Sequence, residues 1–242
     1  MPTPARPRRS RRGTLSRERV LHAALVRADE GGLESLTMHA IGRQLGVQAM
    51  SLYRHVENKE DLLDGLIDLV VSEVEVPMSS ADWKAAMRQR AISARRVFAR
   101  HRWAIGLVES QRRPRAVTLR HHEWVLGVLL EAGFSPVMAA RAYNLLDSYI
   151  YGFALQEASL TYGSPEEQAE VGQATLQQVP PDEYPHLARV AREFIEAGTE
   201  YGAGFEFGLD LILDGIERAQ VRQQAAASGD GPVVGAAPPP NL

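Results

Sequence analysis

The chain has 242 residues, of which 45% are apolar, so it is long enough and apolar enough for one or two globular cores. It has no cysteine, which excludes disulfide frameworks and thiolate chemistry. The absence of cysteine also favours a cytoplasmic protein. No apolar run approaches the roughly 18 residues that cross a bilayer, so we expect no membrane partner. The net charge is −3, yet residues 1–20 hold seven arginines and one glutamate, so a +6 arm precedes a −9 body. This asymmetry is typical of a chain with a polyanionic partner; a solvated tail that only aids solubility is the alternative.

Composition divides the chain into four segments. Residues 1–14 and 223–242 are rich in Pro, Arg, Gly and Ala and are predicted to be disordered. Residues 15–75 and 76–222 carry helical periodicity without convincing period-two alternation, so we expect an all-α fold with two helical domains. Within the second domain, residues 159–184 hold two Gly and three Pro and are predicted to be a long connection.

Short polar residues before apolar runs predict three helix starts in the first domain, at Ser16, Thr37 and Asn58. Gly46 separates a helix over 38–44 from a second short helix predicted from Gln48 to His55, because glycine adopts the left-handed conformation that a sharp turn needs. Two short helices joined in this way have the geometry of a helix-turn-helix.

The second short helix is a candidate for reading DNA, since a single α-helix fits the major groove and its first residues reach base edges. Leu52 and Val56 are predicted to face the core. Lys59 stands unfavourably in the first turn of the next helix, a misfit that a bound phosphate would relieve. The alternatives are packing on the third helix for Tyr53, an ordinary surface position for His55, and a solvated side chain for Lys59.

Apolar periodicity predicts longer helices in the second domain, over residues 82–99, 101–109, 115–131, 136–158, 185–197 and 200–222. The helices over 136–158 and 200–222 each carry an apolar stripe. Two such helices from each of two subunits would form a four-helix interface; the alternative is that both stripes belong to the core of one subunit. The stripe residues are Tyr143, Leu146, Ile150, Phe153, Ala154, Phe205, Gly208, Leu209, Ile212 and Ile216.

Residues 33–71 resemble the DNA-binding region of the TetR family of transcriptional regulators. The resemblance rests on Leu-Gly-Val at 45–47, on Leu-Tyr-x-His-Val-x-Asn-Lys at 52–59, and on Asp-Leu-Leu at 61–63. The spacing is especially similar to that of the tetracycline repressors. The resemblance implies a helix-turn-helix domain followed by an all-helical ligand-binding and dimerisation domain. It also implies a homodimeric repressor that a small effector releases from a palindromic DNA operator.

The helix geometry and the resemblance together give the candidate DNA-binding residues, which are Thr37, His39, Gln48, Ala49, Met50, Ser51, Tyr53, His55 and Lys59. Tetracycline repressors carry Gln at the position of Ala49 and Arg at the position of His39. Ala and His do not reproduce those hydrogen bonds to bases, so we expect a different operator sequence.

Large side chains in the second domain predict an apolar or aromatic effector, with plain core packing as the alternative for each of them. The candidate lining residues are Met87, Phe98, Trp103, Trp124, Tyr143 and Phe153. We expect no cofactor and no metal: Val108 aligns with a metal-binding histidine of tetracycline repressors, and adjacent His121 and His122 diverge by about 100° on a helix. An enzyme is disfavoured because no nucleophile–base pair or phosphate loop is evident; a helical carrier is the other alternative.

Overall fold

The computed structural model describes residues 14–77, 82–110, 115–160, 165–198 and 202–227. All regular structure in these ranges is helical, which confirms the all-α prediction. A 3-10 turn, Leu33–Ser35, accompanies α-helices that we number in chain order. They are α1 Arg17–Gly31, α2 Met38–Leu45, α3 Ala49–Leu52, α4 Lys59–Ser72, α5 Trp83–Arg100, α6 Ala104–Ser110, α7 Ala116–Glu131, α8 Pro136–Ser159, α9 Pro165–Gln177, α10 Pro185–Glu196 and α11 Ala203–Ala227. Among the described helices, none is both long enough and apolar enough to span a membrane.

The helices fall into two compact units that do not follow the chain order. The first unit comprises residues 1–72 and 103–113, and therefore holds α1 to α4 together with α6. The second comprises residues 73–102 and everything from 114 onward, with α5 and α7 to α11. The chain thus leaves the first unit after α4, forms α5, and returns to it for α6. Residues 1–13 of the basic arm, and the tail beyond 227, lie outside the described residues.

The three predicted helix caps of the first unit are confirmed. The Ser16 hydroxyl accepts from the Arg19 N–H at 3.3 Å, and the Thr37 hydroxyl accepts from the Ala40 N–H at 3.2 Å. The Asn58 side-chain oxygen accepts from the Asp61 N–H at 2.8 Å. Each bond satisfies a donor that the first helical turn leaves free.

Two glycines allow the helices of the first unit to approach closely. A Cβ at Gly65 of α4 would lie 2.6 Å from a methyl group of Leu21 in α1. A Cβ at Gly42 of α2 would lie 2.9 Å from the Val47 carbonyl oxygen and 3.2 Å from the Ala49 nitrogen. Gly46 has φ 69° and ψ 33°, which confirms the predicted left-handed turn. The angle between α2 and α3 therefore depends on Gly42 and Gly46 together.

The second unit is built around α5, which packs against α7, α8 and α11. Its core side chains are almost fully buried, and they come from all four helices: Met87, Ala91, Phe98, Val125, Leu129, Leu146, Ile150, Phe205, Leu209 and Leu213. Helices α9 and α10 pack on each other. The predicted separation of the helices over 115–131 and 136–158 is confirmed: Gly133 has φ 87°, the Ser135 hydroxyl accepts from the Met138 N–H at 3.3 Å, and Pro136 opens α8.

Two predictions for the second domain are corrected. The long connection over 159–184 is wrong, because α9 occupies Pro165–Gln177. Pro165 is the first residue of that helix, where proline is favourable, and Gly172 lies against Ile195 of α10, so neither interrupts it. Helix α11 continues through Ala227, into the segment predicted to be disordered, because Gln and Ala favour helix.

The predicted dimer stripes lie mainly in the core of one subunit, which was the alternative. Leu146, Ile150, Phe205 and Leu209 are at most 1% exposed. The exposed apolar residues of these helices are instead Val137, Leu145 and Leu155 on α8, and Phe207, Leu211 and Val221 on α11. At 100° per residue, each set of three falls within one face of its helix. Both helices are therefore apolar on two faces.

Gly42→Ala is predicted to destabilise the protein, because the added methyl group meets backbone atoms that have no room to move. Overpacking of this kind costs about 1–3 kcal/mol. Gly106→Ala is the matched control: Gly106 lies in α6 of the same unit, and a Cβ there meets nothing within 4 Å. Urea denaturation should show a lower free energy of unfolding for Gly42→Ala but not for Gly106→Ala. Equal free energies of unfolding for the two variants would contradict the tight approach of α2 and α3.

Candidate functional site

The candidate DNA-reading part of the first unit is the segment 48–56, here called the recognition segment. It contains α3, which spans only Ala49–Leu52, followed by a turn through His55. The helix is shorter than the predicted span from Gln48 to His55. Gln48 makes no side-chain cap bond at its start. At its end the His55 N–H donates to the Leu52 carbonyl at 2.8 Å, a tighter i→i−3 bond of the kind that closes the last turn of a helix.

Burial separates the two faces of the recognition segment as predicted. Leu52 is fully buried and Val56 is 1% exposed, so both anchor the segment to the core. On the other face Met50 is 74% exposed and Tyr53 46% exposed. Both side chains on the outer face are therefore accessible to a partner.

The remaining candidate DNA-binding residues lie along the surface of the same unit. Thr37, His39, Gln48 and Lys59 are exposed, whereas Ala49, Ser51 and His55 are half-buried. Sequence reasoning missed Arg43 in α2 and Arg54 in the recognition segment, both of which are exposed. Their positive charge next to the candidates is the signal that could have found them.

An ion pair between α1 and α4 holds the end of the recognition segment. Both Arg17 Nη atoms donate to the two carboxylate oxygens of Asp61 at 2.7 Å. Arg17 Nη1 also donates to the His55 carbonyl at 2.9 Å, and Asp61 accepts from the Glu57 N–H at 3.0 Å. The hydrogen bond to Asp61 raises the pKa of Arg17 despite its partial burial. No pattern along the sequence pairs residues 44 positions apart, so this contact was not predicted.

The start of α4 brings together a cap, a cation and two acids. Lys59 is its first residue, and Glu60 and Asp61 follow. Asp61 is engaged by Arg17 and by the Glu57 N–H, while Lys59 remains exposed. The positive end of the helix and the lysine ammonium together favour an anion at this position.

A second polar site lies in the core of the second unit, between α5, α7 and α8. Arg90 is 2% exposed, and its Nη2 donates to Asp147 at 2.6 Å. Its Nε donates to His121 Nε2 at 2.8 Å, and the guanidinium lies 5.9 Å from the Tyr143 ring centre. These four residues form what we call the Arg90 cluster.

The surroundings fix the protonation states in this cluster. Burial, together with the Arg90 charge, lowers the pKa of His121 to about 4, so His121 is neutral at pH 7. A neutral imidazole is consistent with Nε2 accepting from arginine, which is only a donor. Burial and the Asp147 carboxylate raise the pKa of Tyr143 well above its usual range. His122 instead packs edge-on against Tyr143, with the two ring centres 5.2 Å apart, so the adjacent histidines contact different groups.

The structure separates the six candidate effector-lining residues. Met87 and Phe98 are buried in α5, and Tyr143 belongs to the Arg90 cluster. Phe153 packs on Phe205, with the two ring centres 5.1 Å apart. The Trp124 indole donates to the Pro77 carbonyl at 3.2 Å. Trp103 belongs to the first unit, where its indole donates to Asp29 of α1 at 2.7 Å, whereas the other five belong to the second unit.

Comparison with known families gives two matches along the chain. Residues 20–66 match the family described as bacterial regulatory proteins, tetR family, and residues 76–220 match the tetracyclin repressor-like C-terminal domain. The chain belongs to the TetR family of DNA-binding transcriptional regulators. The first match lies wholly within the first compact unit, whereas the second includes α6, which groups with the first unit.

Individual TetR-family proteins resemble the chain over most of their length. An HTH-type transcriptional repressor, DrrR1 of Streptomyces coeruleorubidus, is 30% identical over 89% of this chain and 82% of its own. The class A tetracycline repressor from transposon 1721, in Escherichia coli, is 31% identical over 84% of this chain and 90% of its own. The crystal structure of ActR from Streptomyces coelicolor in complex with actinorhodin has a TM-score of 0.71 and 27% identity, and covers 86% of this chain and 99% of its own.

The Arg90 cluster makes the stability of this TetR-family protein depend on pH. Because the folded pKa of His121 is about 4 and the unfolded value is near 6.5, the unfolded state binds the proton more readily between these values. Stability should therefore fall as the pH drops from 6.5 towards 4, by up to about 3 kcal/mol from this residue. His121→Gln keeps an acceptor for Arg90 and does not titrate. Urea denaturation should show that the free energy of unfolding falls less between pH 7 and pH 5 for His121→Gln than for the natural protein. Equal falls would contradict the assignment of a neutral, buried His121.

Proposed function

We propose that the protein is a transcriptional repressor that binds a palindromic DNA operator as a homodimer and is released by a small apolar or aromatic effector. The observation that carries the proposal is the two-sided recognition segment, with Leu52 buried and Met50 and Tyr53 exposed. The relatives named above as repressors, and the ActR structure with a bound small molecule, support it. Such a regulator acts in the cytoplasm, where bacterial DNA lies.

The polar side chains around the recognition segment divide by the contacts they favour. Thr37, Ser51, Tyr53, His55 and Lys59 carry hydroxyl, imidazole or ammonium groups suited to phosphate oxygens. Gln48, Ala49 and Met50 begin the helix, where residues of a recognition helix reach bases, and His39 lies on the helix before it. Ala49 and Met50 favour thymine methyl groups through apolar contact, so we expect an operator unlike that of the tetracycline repressors.

Tyr53→Ala and Lys59→Ala should each weaken binding to DNA by about tenfold, because each removes a hydrogen bond to a charged phosphate. The probe is duplex DNA selected from a random library by the natural protein, and affinity is measured by electrophoretic shift over a series of salt concentrations. Lys59→Ala should also reduce the slope of log K against log salt by about 1.

Two exposed residues of the second unit give matched controls for this experiment. Tyr184→Ala removes a tyrosine that is 48% exposed, close to the 46% of Tyr53, and Arg189→Ala removes an exposed cation of α10. Neither should change DNA affinity. Undiminished binding by Tyr53→Ala and Lys59→Ala, with unchanged helicity, would refute the assigned contacts.

The homodimer is proposed to form through the outer faces of α8 and α11. Phe207 is 70% exposed, Val137 63% and Leu155 60%. A Cβ at Gly152, Gly204 or Gly215 on these helices would meet nothing within 4 Å, which leaves room for the helices of a partner. Two helices from each subunit would bury these stripes in a four-helix bundle. A twofold dimer would place its recognition segments about 34 Å apart, on successive turns of one DNA face.

A double variant, Phe207→Asp with Leu211→Asp, should be monomeric, because it buries two unpaired carboxylates at the centre of the proposed interface. Light scattering during gel filtration measures the molar mass. Val26→Asp is the control, since Val26 is 46% exposed on α1 and outside the proposed interface. If the double variant keeps twice the 26.7 kDa of the chain, the interface lies elsewhere.

A further inference from the structure

The Arg90 cluster is polar and yet enclosed by the core of the second unit. Arg90 is 2% exposed and Asp147 7% exposed, and the two helices that carry them, α5 and α8, pack directly on each other. A buried ion pair adds little to stability compared with apolar packing of the same volume. Its contribution to stability therefore does not by itself account for the place of the pair in the core.

One nitrogen of this arginine is left without a partner. Nε donates to His121 and Nη2 to Asp147, but Nη1 is buried and has no hydrogen-bond partner among the described residues. The buried Thr118 hydroxyl, one helical turn before His121 on α7, likewise has none there. Buried donors without acceptors are rare, because water has been removed from them and nothing has replaced it.

The charge in the cluster decides which acceptor fits. The Arg90 cation is already balanced by the Asp147 anion, His121 is neutral, and the Tyr143 hydroxyl keeps its proton. A further anion at Nη1 would leave the buried cluster with a net negative charge, which the low-dielectric core disfavours. An uncharged oxygen acceptor completes the hydrogen bonds without changing the charge.

We propose that Nη1 of Arg90 is the polar anchor of the effector and donates to an uncharged carbonyl oxygen of an aromatic ketone or quinone. The aromatic part follows from the neighbours of the guanidinium. The Tyr143 ring lies 5.9 Å from it, His122 packs on that ring, and Met87, one turn away on α5, is fully buried. Rings and a thioether favour a flat apolar body next to the carbonyl. This inference rests on the proposed function, in which the second unit takes the effector.

The test uses pairs of aromatic compounds that differ only in the carbonyl. The probes are 9-fluorenone with fluorene, xanthone with xanthene, and anthraquinone with anthracene, together with 9-fluorenone-2-carboxylate as the charged analogue. Calorimetric titration of the full-length protein without DNA should show at least one ketone binding about tenfold more tightly than its hydrocarbon, the effect of one well-placed hydrogen bond. The carboxylate should bind more weakly than 9-fluorenone.

The decisive variant removes both charges, Arg90→Met with Asp147→Leu, so that no buried charge is left unpaired. Its ketone preference should vanish while the hydrocarbons bind as before. The matched control is Arg95→Met with Glu157→Leu, because this ion pair also joins α5 to α8. Arg95 Nη2 lies 2.6 Å from a Glu157 carboxylate oxygen, and the carboxylate accepts hydrogen bonds from both Nε and Nη2. The control should keep the preference.

The proposal would be overturned if no ketone binds, if ketones and hydrocarbons bind equally, or if the preference survives in the Arg90→Met/Asp147→Leu variant. Stronger binding of the carboxylate would also overturn it, since the anchor would then favour an anion. These readouts need no DNA. Failure to select any DNA would instead refute the proposed function, so the two failures are distinguishable.

Discussion

The bidentate ion pair between Arg17 and Asp61 is the contact on which the presentation of the recognition segment depends. Helix α3 has four residues, far fewer than an isolated helix needs in water, so its conformation comes from its neighbours. Leu52 and Val56 hold its inner face, and Arg17 and Asp61 hold its far end through the His55 carbonyl and the Glu57 N–H. The side chains that face outward can then be polar or apolar as the DNA requires, because none of them has to stabilise the fold.

A small hydrogen-bonded group lies in the second unit, next to the points where the chain changes unit. Glu73, which follows α4 directly, accepts from Arg100 at 2.6 Å and lies 3.2 Å from His101 Nε2, just before the chain returns for α6. Burial alone would raise the pKa of Glu73, but these hydrogen bonds lower it overall, so the carboxylate is charged at neutral pH. The segment that leaves the first unit and the segment that returns to it are therefore joined at one point at the end of α5.

Features that depend on neighbouring residues in the sequence were predictable, whereas contacts between residues far apart in the sequence were not. Ser16, Thr37, Asn58 and Ser135 cap helices in the structure because capping depends on a few adjacent residues. The pairs Arg17–Asp61 and Arg90–Asp147 join residues 44 and 57 positions apart, and charge on a helix does not reveal its partner. The outer stripes of α8 and α11 were missed for another reason. Both helices are apolar on two faces, and periodicity gives the spacing of a face but not which one meets the core of the same subunit.

Helix α8 links the two proposals through adjacent residues. Asp147 points into the Arg90 cluster, while Leu145, two positions earlier, is 49% exposed on the proposed dimer face. A ligand oxygen that reaches the enclosed Nη1 of Arg90 has to displace side chains between α5, α7 and α8, because that nitrogen is closed to solvent. Packed helices respond to such displacement by shifting as rigid elements rather than by deforming. A shift of α8 in each subunit would change the proposed dimer interface on its other face. A twofold repressor binds only when its recognition segments match the DNA repeat, so a small movement there is enough to lower affinity for the operator.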